Sequence, residues 1–351
     1  MADVLLLGMT HFPRLRLPDD QWNLLILKML NDPGVPEHMK DPSSWPKRMR
    51  EQWSTDRGLA AAQAERRELI DDFSRMRAEL ERFQPDVVIM WGDDQYENFR
   101  EDGIPPFAVL GYESMSVAQK SMQLEPGTTV QAVKSAEEMH IQGDRQRAKY
   151  LATGLIERGF DITYAYQPRH VGLGHAFLNT ILFLTSEKRA FPWPVIPFAV
   201  NCYGRFVISH HGMPRGLSEV AKPEDMDPPS PLPWRCFDLG GACATIAKES
   251  PWRVALLASA SWSHAFFTRK NYFLYPDMEA DLNLFEDFKA GRFEAWRART
   301  QSQIEDSGQQ ETLNWMCLAG AFAELGIRPR YSRFHESYIF NSPKVFVAGG
   351  G

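Results

Sequence analysis

Little in this 351-residue chain points to an oxidising compartment or to a cysteine-held metal. It has only four cysteines, Cys202, Cys236, Cys243 and Cys317, and none stands in a CxxC pair. That argues against a disulfide frame and a zinc knuckle, so the thiols read as reduced, as in a cytoplasmic protein. Long apolar runs are missing too: none approaches the roughly 20 residues that a membrane helix needs. The opening Met1-Ala2-Asp3-Val4 has neither the basic start nor the apolar core of a signal peptide. Basic blocks are absent and the net charge is −6, so nucleic acid is not an expected partner. No G-x-S-x-G elbow occurs, which counts against a serine triad built on Ser261 or Ser263. There is no internal repeat and no low-complexity tract.

What is present fits a globular enzyme. Hydrophobic residues make up 44% of the chain and charged residues 24%, ordinary proportions for a folded domain. Ten tryptophans and 22 phenylalanines supply a core, with some left to line a pocket for a flat ligand. Short apolar runs at Val4 to Leu7, Val87 to Trp91, Ile162 to Tyr166, Val195 to Val200 and Val254 to Ser259 read as buried strands. Helical patterns lie between them. The clearest spans about Gly58 to Phe83, where Leu69, Phe73, Met76, Leu80 and Phe83 form one stripe. The expected fold is α/β: one large domain over 1–346, with a central mostly parallel or mixed sheet flanked by helices. A helical insertion at 18–83 is a possible lid, and 347–351 is expected to fray as a tail. Asn31 to Trp53, with four prolines, reads as an irregular excursion, and Lys222 to Trp234 as a proline-rich loop.

Chemistry-bearing residues gather at the ends of these strands, where open α/β sheets bind ligands. His11 follows the first strand. Asp93, Asp94 and Gln95 follow the second; their bland reading is a capped turn. Gly172-Leu173-Gly174-His175 opens an apolar helix, where a histidine either carries protons or simply caps. His264 follows the strand that ends at Ser259. Glu311 begins another apolar helix, a place the helix dipole favours for an acid in any case. A neutral imidazole and a carboxylate converging on one crevice make a divalent-metal site. His38, His140 and His335 read as solvated or structural. Of the adjacent His210 and His211, at most one reaches any given site.

The order of these motifs resembles the class III extradiol ring-cleavage dioxygenases, the group that includes the catalytic subunit of protocatechuate 4,5-dioxygenase and its gallate-cleaving relatives. The resemblance runs nearly end to end. It rests on the loop of His11 and Pro13, on Pro85 to Ile89 with Asp94 and Phe99, and on Val195 to Phe198 with Val200-Asn201. Arg235 to Phe237 with Leu239-Gly240, Ser263-His264, and Glu311 with Trp315, Gly320 and Ala321 complete it. It implies a non-haem Fe(II) held by two histidines and a glutamate, with Mn(II) or Zn(II) as alternatives, and O2 and a small hydroxylated aromatic as substrates. His11 and Glu311 would be metal ligands, His264 the acid/base, and His175 a second catalytic histidine. Arg205 and Arg269 are positional candidates for binding a substrate carboxylate, as is Arg215. A homo-oligomer is the expected assembly.

One departure stands out. The family's second ligand histidine falls on Gln95, and no histidine lies between Asp93 and Phe99. Gln95 through its carbonyl, Asp93 or Asp94 through a carboxylate, His38 folding over, or His175 recruited as a ligand would each fill the gap. A further outcome is no metal at all. The missing histidine also keeps open a metal-dependent hydrolase and a metal-free binding protein on the same scaffold.

Overall fold

The computed structural model describes residues 3–118, 138–185, 191–211 and 213–351. Its centre is a mixed eight-stranded sheet with strands, in chain order, β1 (Val4–Met9), β2 (Val87–Asp93), β3 (Phe107–Leu110), β6 (Thr163–Ala165), β7 (Val195–Val200), β8 (Val254–Ser259), β9 (Tyr331–His335) and β10 (Lys344–Gly350). A separate antiparallel hairpin pairs β4 (Ser114–Ala118) with β5 (Glu138–Gln142). The large sheet runs β6-β3-β7-β2-β8-β1-β10-β9. Its middle four strands, β7, β2, β8 and β1, are mutually parallel. They are buried along their whole length, which is why each reads in the sequence as an unbroken apolar run. The antiparallel strands sit towards the edges.

Six described helices have ten or more residues: α1 (Leu59–Phe83), α2 (Arg145–Glu157), α3 (His175–Leu184), α4 (Pro233–Glu249), α5 (Met278–Lys289) and α6 (Thr312–Leu325). The stripe that predicts α1 is the face it buries: Leu69, Phe73, Met76, Leu80 and Phe83 are all in the core. The possible lid is, over this length, a wall of the fold. Phe73 packs on Phe183 of α3 and Phe346 of β10, and His335 of β9 is held by Asp72 at 2.6 Å and Glu68 at 3.1 Å. Asn31 to Trp53, read as irregular, contains the short helices Glu37–Lys40 and Lys47–Trp53. Buried Trp45, Met49 and Trp53 anchor it to the core.

The expected frayed tail is a correction. Lys344–Gly350 forms β10, hydrogen-bonded to β1 on one side and β9 on the other. Glycines argue against a strand on propensity alone. Here the lack of a side chain is required, because a Cβ on Gly349 would lie 2.4 Å from the ring of Phe322.

Lys344 is fully buried in β10, with its ammonium 2.9 Å from Glu65 of α1, 2.9 Å from the Ser337 hydroxyl and 3.8 Å above the Phe12 ring. It thus ties α1 to the sheet directly beneath the loop of His11. Removing one partner of a buried ion pair strands the other charge. Lys344→Ala is therefore expected to cost about 3–5 kcal/mol, read as a lowered urea midpoint. A loss below about 1 kcal/mol, the range of exposed pairs, would show that the pair is not load-carrying.

Candidate metal centre and its surroundings

The carboxyl ends of the four parallel strands lie side by side, and each delivers a polar residue to the same buried place. β1 leads to His11, β2 ends on Asp93, β7 leads through Asn201-Cys202 to Tyr203, and β8 ends on Ser259 and leads to His264. Two helices start at the same place, α3 with His175 and α6 just after Glu311. All of these side chains are buried except that of His175, which is partly exposed.

His11 is 1% exposed, and its Nδ1 lies 3.0 Å from Ser259 Oγ. That hydroxyl donates to the Ala176 carbonyl at 3.0 Å, so its lone pair accepts the Nδ1 proton and Nε2 is left as the free donor atom. Burial lowers the His11 pKa to about 4 despite the nearby Glu311 charge, which keeps the ring neutral, as a ligand must be. The His175 ring stands edge-on to it, 5.0 Å between centroids. His175 is fixed by Glu97, one oxygen 2.8 Å from its backbone nitrogen and the other 3.0 Å from Nδ1. Burial opposes protonation of His175, but Glu97, with Asp93 and Glu311, outweighs it and raises the pKa to about 10. The surrounding carboxylates thus favour positive charge at this ring, which a cation at Nε2 would supply in place of the proton.

Asp93 completes the group. Potential ligand atoms of His11, Asp93 and His175 lie within 4.8 Å of one another. Asp93 is wholly buried, and its Oδ1 accepts a long 3.5 Å bond from Asn314 of α6. Its Oδ2 has no hydrogen-bond partner. Burial and the Glu311 charge push its pKa well above the usual carboxylate range. A buried carboxylate oxygen without a partner, beside two oriented imidazoles, fits a divalent cation.

Glu311 lies on the other side of His11, Oε2 to Nε2 3.5 Å. Its Oε1 accepts from the Tyr203 hydroxyl at 2.5 Å and faces His264 Nε2 at 3.0 Å, and its Oε2 accepts from the Ser261 backbone at 2.8 Å. Burial alone would raise its pKa; His264 and His11 hold it well below the usual range instead. Gln95 reaches this network through Tyr203, to which its amide nitrogen is bonded. The remaining nitrogen of His264, Nδ1, is buried and unpaired. The ring stands beside Phe266 and Phe267, 4.9 and 6.2 Å between centroids. Behind His264, buried Asp281 of α5 accepts from the Ser263 backbone at 3.1 Å and from Gln309 at 2.7 Å. It thereby clasps the two loops that carry His264 and Glu311.

Other candidates lie apart. The Asp94 carboxylate turns back to accept the backbone N–H groups of Glu97, Asn98 and Phe99, the capped turn of the bland reading. Arg205 is paired with Glu305 at 3.2 Å, and Arg269 is exposed on a short 3-10 turn. His38 stacks edge-on with Tyr272, and His211 lies face to face with Tyr96. A guanidinium that the contacts do connect to the site is Arg16: it donates to Asn179 at 3.3 Å, and Asn179 reaches the His11 carbonyl at 3.4 Å. Sequence reasoning missed Tyr203, Glu97 and Asn314. Applying the strand-end rule to β7 would have found Tyr203.

Among the described residues no helix is long and apolar enough to cross a membrane. No family model matches the chain. It is 26% identical over 188 residues, 54% of its length, to 2,3-dihydroxyphenylpropionate/2,3-dihydroxicinnamic acid 1,2-dioxygenase of Comamonas testosteroni. It is 24% identical over 188 residues to a Pseudomonas putida protein of that name, numbered 2. A third protein so named, from Photorhabdus laumondii, is 21% identical over 232 residues, 66% of this chain and 58% of that one. The chain spans about half the length of the curated relatives it matches, 46% in the first two cases. The α/β chain with this crevice is thus a distant likeness of proteins named as dioxygenases of dihydroxylated aromatic acids.

Proposed function

We propose that this chain is an extradiol-type dioxygenase, which opens the ring of a hydroxylated aromatic beside a vicinal diol with O2 and a bound Fe(II). The observation that carries this reading is the convergence of His11, Asp93, His175 and Glu311 on one buried crevice, with His264 beside them. The names of the distant relatives support it. His11, Asp93 and His175 would hold the ion, with Glu311 beside them. Bound there, Fe(II) would lower the pKa of a coordinated phenol and bring substrate and O2 to one centre.

The chain's own residues supply the rest. His264 Nε2 faces Glu311, so the unpaired Nδ1 is the atom available to take a proton from a substrate hydroxyl. Glu311 stabilises the imidazolium that results, and Tyr203 and Ser261 fix Glu311 in turn. Phe266, Phe267 and Phe206 form an aromatic wall close to His264 and Tyr203. Such a wall suits a planar ring and keeps water from the reacting atoms. Both atoms of O2 enter the product as one ring carbon–carbon bond breaks. The substrate supplies the electrons, and no further reductant is consumed.

Anaerobically reconstituted Fe(II) protein is expected to take up one O2 per molecule of a catecholic acid such as 2,3-dihydroxyphenylpropionate, measured with an oxygen electrode. An iron-loaded protein that consumes no O2 with any vicinal diol rules the reading out. Abundant zinc in the purified protein, with no O2 uptake, points instead to hydrolysis.

A further inference from the structure

Resting on that metal-dependent reading, we infer that the ion's inner ligands are His11, Asp93 and His175, and that Glu311 stands outside them as the hub that positions His264. The resemblance expects a histidine at position 95, with a glutamate completing the set. Here Gln95 has its amide nitrogen engaged by Tyr203. The last residue of the same strand, Asp93, fills the gap from two positions upstream. Its Oδ2 is fully buried and unpartnered, the state of an oxygen whose partner is a cation rather than a hydrogen-bond donor.

Both histidines are prepared in the same way. Ser259 holds Nδ1 of His11, and Glu97 holds Nδ1 of His175. Each ring is thus fixed at Nδ1 by an outer partner, so that Nε2 is the atom to meet the ion; in His11 that nitrogen lies 3.5 Å from Glu311 Oε2, which would stay an outer neighbour of the ion. Glu311 is in the opposite condition. Tyr203, His264 and the Ser261 backbone already occupy its two oxygens, close to the number of donors a carboxylate can accept.

The exchange keeps the donor chemistry while changing the donors. Two imidazoles and one carboxylate, with the other positions open, is the set that suits Fe(II) oxygenases. The loss of the histidine at 95 therefore does not turn the centre into an all-oxygen site. It moves His175 from proton handling to ligation and leaves His264 as the sole acid/base. Glu311 becomes a positioning residue: it acts on the reaction only through His264.

Co(II) binding to the apo-protein, followed by calorimetry and visible absorption, tests this without relying on turnover. Asp93→Asn and His175→Gln are expected to weaken Co(II) binding more than about 100-fold, beyond what loss of an outer partner causes, whereas Glu311→Gln stays within about 10-fold. With Fe(II), Glu311→Gln should lower kcat with little change in KM. Should Asp93→Asn fail to fold, as judged by circular dichroism, Asp93→Glu decides: it keeps Co(II) but alters its absorption bands. Unaltered bands overturn the assignment. So does a Glu311→Gln protein as metal-poor as Asp93→Asn, or a parent protein that binds no Co(II). A correct Co(II) pattern with no O2 uptake leaves the ligand assignment standing and removes the dioxygenase reading alone.

Discussion

Replacing His264 with alanine is expected to lower O2 uptake by about 10²–10⁴-fold, the usual contribution of a positioned acid/base, with metal content unchanged. The expectation follows from atoms rather than from the histidine's presence alone. One nitrogen is spent on Glu311 and the other is buried with no donor hydrogen-bonded to it. A buried polar atom without a partner costs stability, and a substrate hydroxyl would remove that cost. Metal analysis beside steady-state kinetics separates the proton step from ion loss. A fall of less than about 10-fold, below the general acid/base range, would transfer the role to another group.

A loss of stability comparable to that at Lys344 is expected at the crossing of α4 and α6. A Cβ on Gly320 would lie 1.9 Å from the Phe237 carbonyl oxygen, and one on Gly240 would lie 1.8 Å from that of Cys317. In both cases the obstacle is backbone, so no rotamer change relieves it and the helices must separate. Overpacking ordinarily costs about 1–3 kcal/mol, and this contact belongs at or above the top of that range. A domain with about 5–15 kcal/mol in hand would lose a large part of its margin. Gly320→Ala should therefore show a sharply lower urea midpoint and soluble yield. Because α6 follows Glu311 and carries Asn314, the same change should disturb the candidate metal centre. A variant within about 0.5 kcal/mol of the parent, the range of neutral surface changes, would contradict the close crossing.

The central sheet was legible for a physical reason. A strand covered on both faces has no polar phase, so β1, β2, β7 and β8 appear as solid apolar blocks. β9 and β10 do not. Tyr331 to Phe334 are only partly buried, while β10 carries a lysine at its start and glycines at its end. The reasons for those residues, Glu65 across from Lys344 and the Phe322 ring over Gly349, lie far away in the chain. The candidate site divides in the same way. His11, His175, His264 and Glu311 were visible because each lies at or shortly beyond the end of an element. Asp93 was visible only as one of several substitutes for a missing histidine. Tyr203, Glu97 and Asn314 acquire meaning from what they touch: Tyr203 and Glu97 orient Glu311 and His175, and Asn314 reaches towards Asp93. Asp94 shows the converse, since its carboxylate satisfies its own turn.

The candidate site is stitched from segments at positions 11, 93, 175, 203, 264 and 311, brought together by four adjacent parallel strands and the starts of two helices. No short stretch of the polypeptide contains it. Capture of an ion there would therefore be coupled to completion of the four central strands, since a chain still assembling them would not hold these side chains together. An ion held there would brace the four central strands: at a free concentration 1,000 times its dissociation constant it would add about 4 kcal/mol to global stability.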